Sequence, residues 1–348
     1  VSPSSASAAA GGQATAVKVK AGAGATGPSG ASSAATRVAA TSGVPAFTHV
    51  FIIVMENLGY ARAVRLPYIS SLAAQYGVAT RYFAATHPSL PNYLALTSGE
   101  TWVRSDCWYC YVSSNNLGAE ASAAGVSWGA YMEGLPGPCW LGPWWPTGDY
   151  AGKHDPFRYY RDIRGSTALC AGIRPLADLE VALGAAPGPS SGSSAPGPAA
   201  AVPRLVWITP NLCHDMHDCS PQVGDAWLRS FVPRILASPA WKGGGALFIT
   251  WDEGLGTEGC CTAGPPSAPG AAGPSGTGQA VRPTGGGGQV LTLVLAPGVP
   301  AGTRIAVPYN HYSLLATVED GLGLPLLGHA AQATPMSAFW TPSALSKG

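Results

Sequence analysis

"THVFIIVME" (Thr48–Glu56) is a short apolar run, rich in β-branched residues, that stops on a carboxylate. Because its apolar character is continuous rather than alternating, it predicts a strand buried on both faces. Four further segments read the same way: "VSWGAYME" (126–133), "RLVWITP" (204–210), "GALFITW" (245–251) and "VLTLVLAP" (290–297). Between them, "LPYISSLAAQYG" (66–77) and "DAWLRSFVPRILAS" (225–238) carry helical spacing, with Gly77 as the expected C-cap of the first. Buried strands alternating with helical stretches predict an α/β fold whose central sheet is mostly parallel and covered on both sides.

Composition excludes several classes of function. Only 11% of residues are charged and the formal net charge is +1, so there is no electrostatic footprint for nucleic acid and no charged tail. No apolar stretch reaches the roughly eighteen residues that a membrane span needs. Residues 1–44 are almost entirely Ala, Gly, Ser, Thr and Val, too little apolar surface to offset chain entropy. They are expected to be a disordered leader, the mature terminus left after a signal segment is removed. Residues 45–345 are expected to form a single catalytic domain, with disordered Pro/Gly/Ser-rich surface loops near 185–201 and 262–288.

Eight cysteines, at 107, 110, 139, 170, 213, 219, 260 and 261, show no paired CxxC array. An even count of this kind favours disulfides in an oxidising compartment over a structural zinc site, and hence a secreted or extracellular protein. Connectivity does not follow from spacing, although Cys213 and Cys219 are near enough for a local bridge. Two motif matches fall away on context. "GPSSG" (188–192) fits the nucleophile elbow but lies in a low-complexity loop with no strand before it. "GLGTEG" (254–259) follows a strand yet leads into "CCTAGPP", which cannot open a helix.

In open parallel sheets, ligands bind beyond the carboxyl ends of the strands. Three of the expected strands end on polar clusters: Glu56-Asn57, "NLCHDMHDC" (211–219) and Asp252-Glu253. Taken singly, the first and third read as a cap and a solvated turn. Together, in a chain so poor in charge, they predict a cation site. Their hard oxygen ligands suit Ca²⁺, Mg²⁺ or Mn²⁺ better than zinc, with zinc and iron left open. Of seven histidines, His87 lies two residues before Ser89, His214 and His217 fall in the second cluster, His154 sits in "GKHDPF", and His311 in "YNHYSLL". Ser89 belongs to "THPSLPNYLALTSG" (86–99). There Pro91 suits the first turn of a helix and places Ser89 just ahead of its N-terminus. Serine is a favoured cap, but free N–H groups and the helix dipole also favour an anion such as phosphate at that position. A hydroxyl held there beside a divalent cation becomes a nucleophile.

"HVFIIVMEN", "THPSLPNYLALTSG", "KHDPF", "NLCHDMHDC", "ALFITWDEG" and "YNHYSLLATVEDGLGL" together resemble the phosphoesterase family that holds secreted acid phosphatases and phosphatidylcholine-type phospholipases C. The likeness runs from about residue 47 to 254 and from about 290 to 328, and is nearer the acid phosphatase branch. It implies an alkaline-phosphatase-like three-layer α/β/α sandwich. It also implies a metal ion surrounded by Glu56, Asn57, Ser89, Asp252 and Glu253, with Ser89 as nucleophile. The chain departs from the family pattern at Leu58, where histidine is common, and at His214, where asparagine is common.

The expected activity is hydrolysis of a small phosphate monoester through a phosphoserine. His154, His217 or His311 protonates the leaving alcohol, and Asn57, Lys153, His214 and Asp215 contact the phosphate. Asp215 with His217 and His311 forms either a second metal position or a direct phosphate contact. One rival is a phospholipase C-type diesterase acting on a phospholipid headgroup. Another, of a different class, is a non-catalytic surface module binding carbohydrate through the eleven tryptophans.

Overall fold

The computed structural model describes residues 42–145, 149–184, 201–261 and 286–341. The expected leader up to residue 41, and the loop stretches 185–200 and 262–285, lie outside the described residues. The strands are β1 (Val50–Met55), β2 (Gly77–Phe83), β3 (Trp128–Met132), β4 (Trp144–Trp145), β5 (Tyr150–Ala151), β6 (Ile173–Pro175), β7 (Leu205–Thr209), β8 (Ala246–Trp251), β9 (Gln289–Leu295), β10 (Arg304–Ile305) and β11 (Tyr309–Asn310). All five strands expected from apolar runs are present, as β1, β3, β7, β8 and β9.

The sheet order is β10-β2-β9-β8-β1-β7-β3-β6, with β11 also paired to β2, while β4 and β5 form a separate ribbon. Pairing within the large sheet is parallel except for β9, which runs antiparallel to both neighbours. The chain returns from β8 to the adjacent β9 without a helix among its described residues, a connection that an antiparallel pair accepts and a parallel crossover does not. Successive side chains of β1 point to opposite faces, yet all six are buried. Both faces of the sheet are therefore covered. The helix Ser89–Ser98 packs on His311–Leu322, and Pro67–Gln75 packs on Pro221–Ala237.

Two local expectations are corrected. Gly77 is not a helix cap: Tyr76 ends Pro67–Gln75 in extended backbone and Gly77 opens β2. It is glycine for space, since a Cβ there would meet the Phe339 ring at 2.7 Å. The helix expected from Asp225 begins at Pro221, where proline occupies the first helical position. The eight cysteines form four disulfides, Cys107–Cys110, Cys139–Cys170, Cys213–Cys219 and Cys260–Cys261. Among the described residues, no helix is long and apolar enough to cross a membrane.

Candidate active site

The register of two strands builds the centre. Met55 of β1 lies opposite Trp251 of β8 in a parallel pair, so Glu56 and Asp252 leave the sheet side by side at its carboxyl edge. The Glu56 N–H donates to the Asp215 carbonyl (2.8 Å), which draws the segment after β7 alongside. Asn57 takes a left-handed φ of +49°, a conformation that asparagine adopts more readily than most residues. From there its N–H donates to Asp252 Oδ1 (3.2 Å) and its Nδ2 to Glu56 Oε2 (3.2 Å).

Ser89 is the first residue of its helix, with Pro88 at the N-cap position. Its Oγ donates to Glu56 Oε2 at 3.1 Å. Asn92 secures the approach to this turn: its Oδ1 accepts from the Ala85 and Thr86 N–H groups (3.0 and 3.1 Å) and its Nδ2 donates to the Thr86 and Pro88 carbonyls (2.8 and 3.1 Å). The Leu90 N–H donates to Asp106 Oδ1 (3.0 Å), so a carboxylate of the chain already sits at this N-terminus. Asp106 Oδ2 in turn accepts from Lys153 Nζ (3.0 Å), which also lies 3.2 Å from His217 Nε2. Burial works against the Lys153 charge, but Asp106 and Glu56 outweigh it and raise its pKa.

His154 is wholly buried, stacked on the Tyr93 ring with centroids 5.4 Å apart. Its Nε2 is 3.1 Å from Glu56 Oε1 and its Nδ1 3.2 Å from Asp215 Oδ2. Proximity is not alignment here, because His154 Nε2, Asp215 Oδ2 and Asp252 Oδ2 are buried without a well-directed hydrogen bond. Tyr93 donates its hydroxyl to Glu56 Oε1 (2.7 Å). Burial, followed by the mutual repulsion of Asp252 and Asp215, pushes Glu56 well above the usual carboxylate range. Burial and then the Glu253 charge raise Asp252 well above it too, and burial does the same to Asp215, where the His217 N–H opposes the shift and the Asp252 charge adds to it. Burial and then the Lys153 charge hold His154 well below the ordinary histidine value.

Crowded, buried and incompletely bonded carboxylates are the environment that a cation relieves. Ligand atoms of Glu56, His154 and His217 all lie within 4.8 Å of one another, a group able to hold a divalent metal ion. The residues present therefore fit a metal centre.

The remaining expected residues separate by position. Glu253 Oε2 is 2.7 Å from His87 Nδ1, and the other His87 nitrogen is 2.7 Å from the Gly256 carbonyl. His217 takes its backbone hydrogen bond to Asp215 Oδ1 (2.8 Å), and its Nδ1 lies 2.6 Å from Asp218 Oδ1. His311 stands behind the centre, with Nε2 donating to the Asp252 carbonyl (2.6 Å) and Nδ1 3.1 Å from the Tyr82 hydroxyl. Burial lowers its pKa to about 4. His214 faces Glu133, with Nδ1 2.9 Å from both carboxylate oxygens, and stacks on Trp227. That carboxylate raises its pKa.

Tyr93 had a readable signal, since it follows Ser89 by four residues and so shares its helix face. Asp106 and Glu133 had none, because only folding brings them to their partners. Beside Lys153 and His217 opens a cavity of about 480 Å³ walled by Trp108, Tyr109, Pro143 and Trp144.

Comparison with known proteins gives four findings. The profile of the Phosphoesterase family matches residues 46–325. The chain is 31% identical over 310 residues to the phosphatidylinositol-3-phosphatase of Mycobacterium tuberculosis, covering 86% of this chain and 85% of that protein. It is 27% identical to a probable acid phosphatase of Kluyveromyces lactis over 81% of this chain, and spans 60% of that protein's length. Among solved structures it is similar to a protein in the alkaline phosphatase superfamily from Vibrio parahaemolyticus, with a TM-score of 0.47 and 12% identity over 80% of this chain and 67% of that one.

Proposed function

Since this chain belongs to the phosphoesterase family, and so to hydrolases of phosphate ester bonds, we propose that it is a metal-dependent phosphomonoesterase acting through a phosphoserine on Ser89. One observation carries the reading: the Ser89 hydroxyl, at the start of a helix, is bonded to Glu56 inside a cluster of buried carboxylates that includes the unpartnered Asp252 Oδ2. Residues 45–345 would form the catalytic domain.

Glu56, Asn57, Ser89, Asp252 and Glu253 would hold the ion, and their oxygens favour Ca²⁺, Mg²⁺ or Mn²⁺. The imidazoles of His154 and His217 near Glu56 keep zinc and iron in the set. When bound, such an ion neutralises phosphate charge and eases ionisation of an adjacent hydroxyl. The rest falls to the chain's own groups. Ser89 Oγ attacks phosphorus in line, its proton passing to the carboxylate cluster, and the bond from phosphorus to the ester oxygen breaks. Lys153 moves from Asp106 onto a phosphate oxygen. Once Lys153 has left it, His217 Nε2 takes up a proton from water and gives it to the leaving oxygen, with Asp218 fixing the ring through Nδ1. Water then cleaves the phosphoserine.

Of the three candidate histidines, His217 is the one that lines the cavity. His154 is buried against the Tyr93 ring beside Glu56 and Asp215, His311 is buried against Asp252 and Tyr82, and neither borders the cavity, which makes these two positioning groups. The His214 pairing with Glu133 leaves that residue a peripheral role in phosphate binding. The relatives' names speak of phosphatases, including one for a phosphoinositide monoester, which supports a monoesterase over the phospholipase C-type alternative. Four disulfides support an extracytoplasmic location.

Purified protein should hydrolyse phosphate monoesters in preference to diesters. Acid quenching during turnover of a ³²P-labelled monoester should trap label on Ser89. Ser89→Ala should lose both activity and label while keeping its circular dichroism spectrum and melting temperature. Full activity in Ser89→Ala, or cleavage of diesters alone, would overturn the reading.

A further inference from the structure

Exposed aromatic side chains gather on two loops. Trp108 and Tyr109 come from the first, and Trp140 from the second, which leads into Trp144 at the start of β4. The loops are braced as a unit. Arg158 is wholly buried, and its guanidinium donates to the Trp108 carbonyl (3.2 Å from both Nη1 and Nη2) and to the Leu141 carbonyl (3.1 Å from Nη2). Tyr159 donates its hydroxyl to the Cys107 carbonyl (2.7 Å). The Cys107–Cys110 and Cys139–Cys170 disulfides each anchor one loop. A charge buried this way is tolerated only when its hydrogen bonds are met, so the separation of the two loops is a built feature.

Between them lies the cavity of about 480 Å³, within the size range of small-molecule sites. Its walls are aromatic and apolar, and Lys153 and His217, 3.2 Å apart, are part of its lining. Those two residues are the ones assigned to the phosphate and to the leaving oxygen. The group attached to that oxygen must therefore extend along the aromatic walls. Asp218 is the one carboxylate among the described lining residues and is engaged with His217. A polyol would find few hydrogen-bond partners here, whereas a flat ring finds faces to stack on.

We propose that this cavity is the leaving-group subsite and that it selects phosphate monoesters whose alcohol carries an aromatic or similarly flat apolar ring. The proposal rests on the phosphomonoesterase reading above.

The test compares naphthylethyl phosphate with ethyl phosphate, two esters whose alcohols have nearly equal basicity, so that the ratio reports the ring and not leaving-group reactivity. Wild-type kcat/KM should favour the naphthylethyl ester by roughly 10- to 100-fold. Tyr109→Ala and Trp144→Ala, both at exposed side chains, should each lower that ratio several-fold, and Trp144→Phe should retain it. A wild-type ratio near one, or a ratio that survives both alanine substitutions, overturns the subsite. If the alanine variants keep the ratio but release the enzyme from phosphatidylcholine vesicles, the rim is a membrane-docking surface and the proposal fails. Tryptophan fluorescence titration with naphthylethyl and ethyl phosphonates separates the two layers. Ring-selective binding without turnover of either ester overturns the monoesterase reading alone, and equal binding of both phosphonates overturns the subsite.

Discussion

Three histidines close to one reaction centre carry three different burdens, and the difference lies in which ring borders the cavity. His311 spends both nitrogens, on Asp252 and Tyr82, and His154 is buried against the Tyr93 ring, close to Glu56 and Asp215 but not bordering the cavity. His217 alone of the three borders the cavity, with Lys153 on its Nε2. When Lys153 turns to the phosphate, Nε2 is released, takes up a proton from water and passes it to the leaving oxygen. His217→Ala should therefore lower kcat for an alkyl phosphate by roughly 10²- to 10³-fold. The loss should be far smaller for p-nitrophenyl phosphate, whose leaving group needs no proton. Steady-state kinetics on the two esters checks this, and equal losses on both would assign His217 to phosphate or metal binding instead. The sequence named all three histidines but could not order them, because the order depends on partners such as Tyr82 and Asp218 whose pairing with each ring is settled only in three dimensions.

The helix Ser89–Ser98 is the element that turns a polar cluster into a site. It presents Ser89 and, one turn on, Tyr93 to the same carboxylate, and its every residue is buried. Its far end is fixed by Gly99, which takes φ +75° and donates its N–H to the Ala95 carbonyl. A Cβ at Gly99 would collide with the Leu327 carbonyl, and the left-handed backbone is unfavourable for any other side chain. Gly99→Ala should thus lose about 2–4 kcal/mol of stability in urea unfolding, with kcat falling as Ser89 loses its register. A loss under 1 kcal/mol would mean that the helix end relaxes freely. Elements buried on all sides, such as β1 and β8, were legible because their pattern is uniformly apolar. β2 was not, because Thr80 and Arg81 interrupt it, and Thr80 finds its partner in the Ile305 carbonyl far along the chain. The direction of β9 was also hidden, since an apolar run looks the same in either orientation.

Across the molecule, strand ends, a helix start and the segment after β7 bring Glu56, Asp215 and Asp252 together out of water, and this has a consequence for stability. Each carboxylate has its folded pKa raised by burial and mutual repulsion. A group raised in this way stabilises the fold fully below its unfolded pKa, near 4, and loses that contribution as pH climbs through the higher folded value. The ion-free protein should therefore weaken from about pH 4 toward neutrality. A divalent cation reverses the sign, because it binds the ionised carboxylates and so adds stability as they deprotonate. The melting temperature of chelator-treated protein should then fall further below that of cation-loaded protein at pH 7 than at pH 4.5. Excess Mg²⁺, Ca²⁺ or Mn²⁺ should close the gap and restore turnover together. Scanning calorimetry at the two pH values reads the difference directly. A gap of equal size at both would place the ion away from these carboxylates, and no gap at all would remove the metal from the centre.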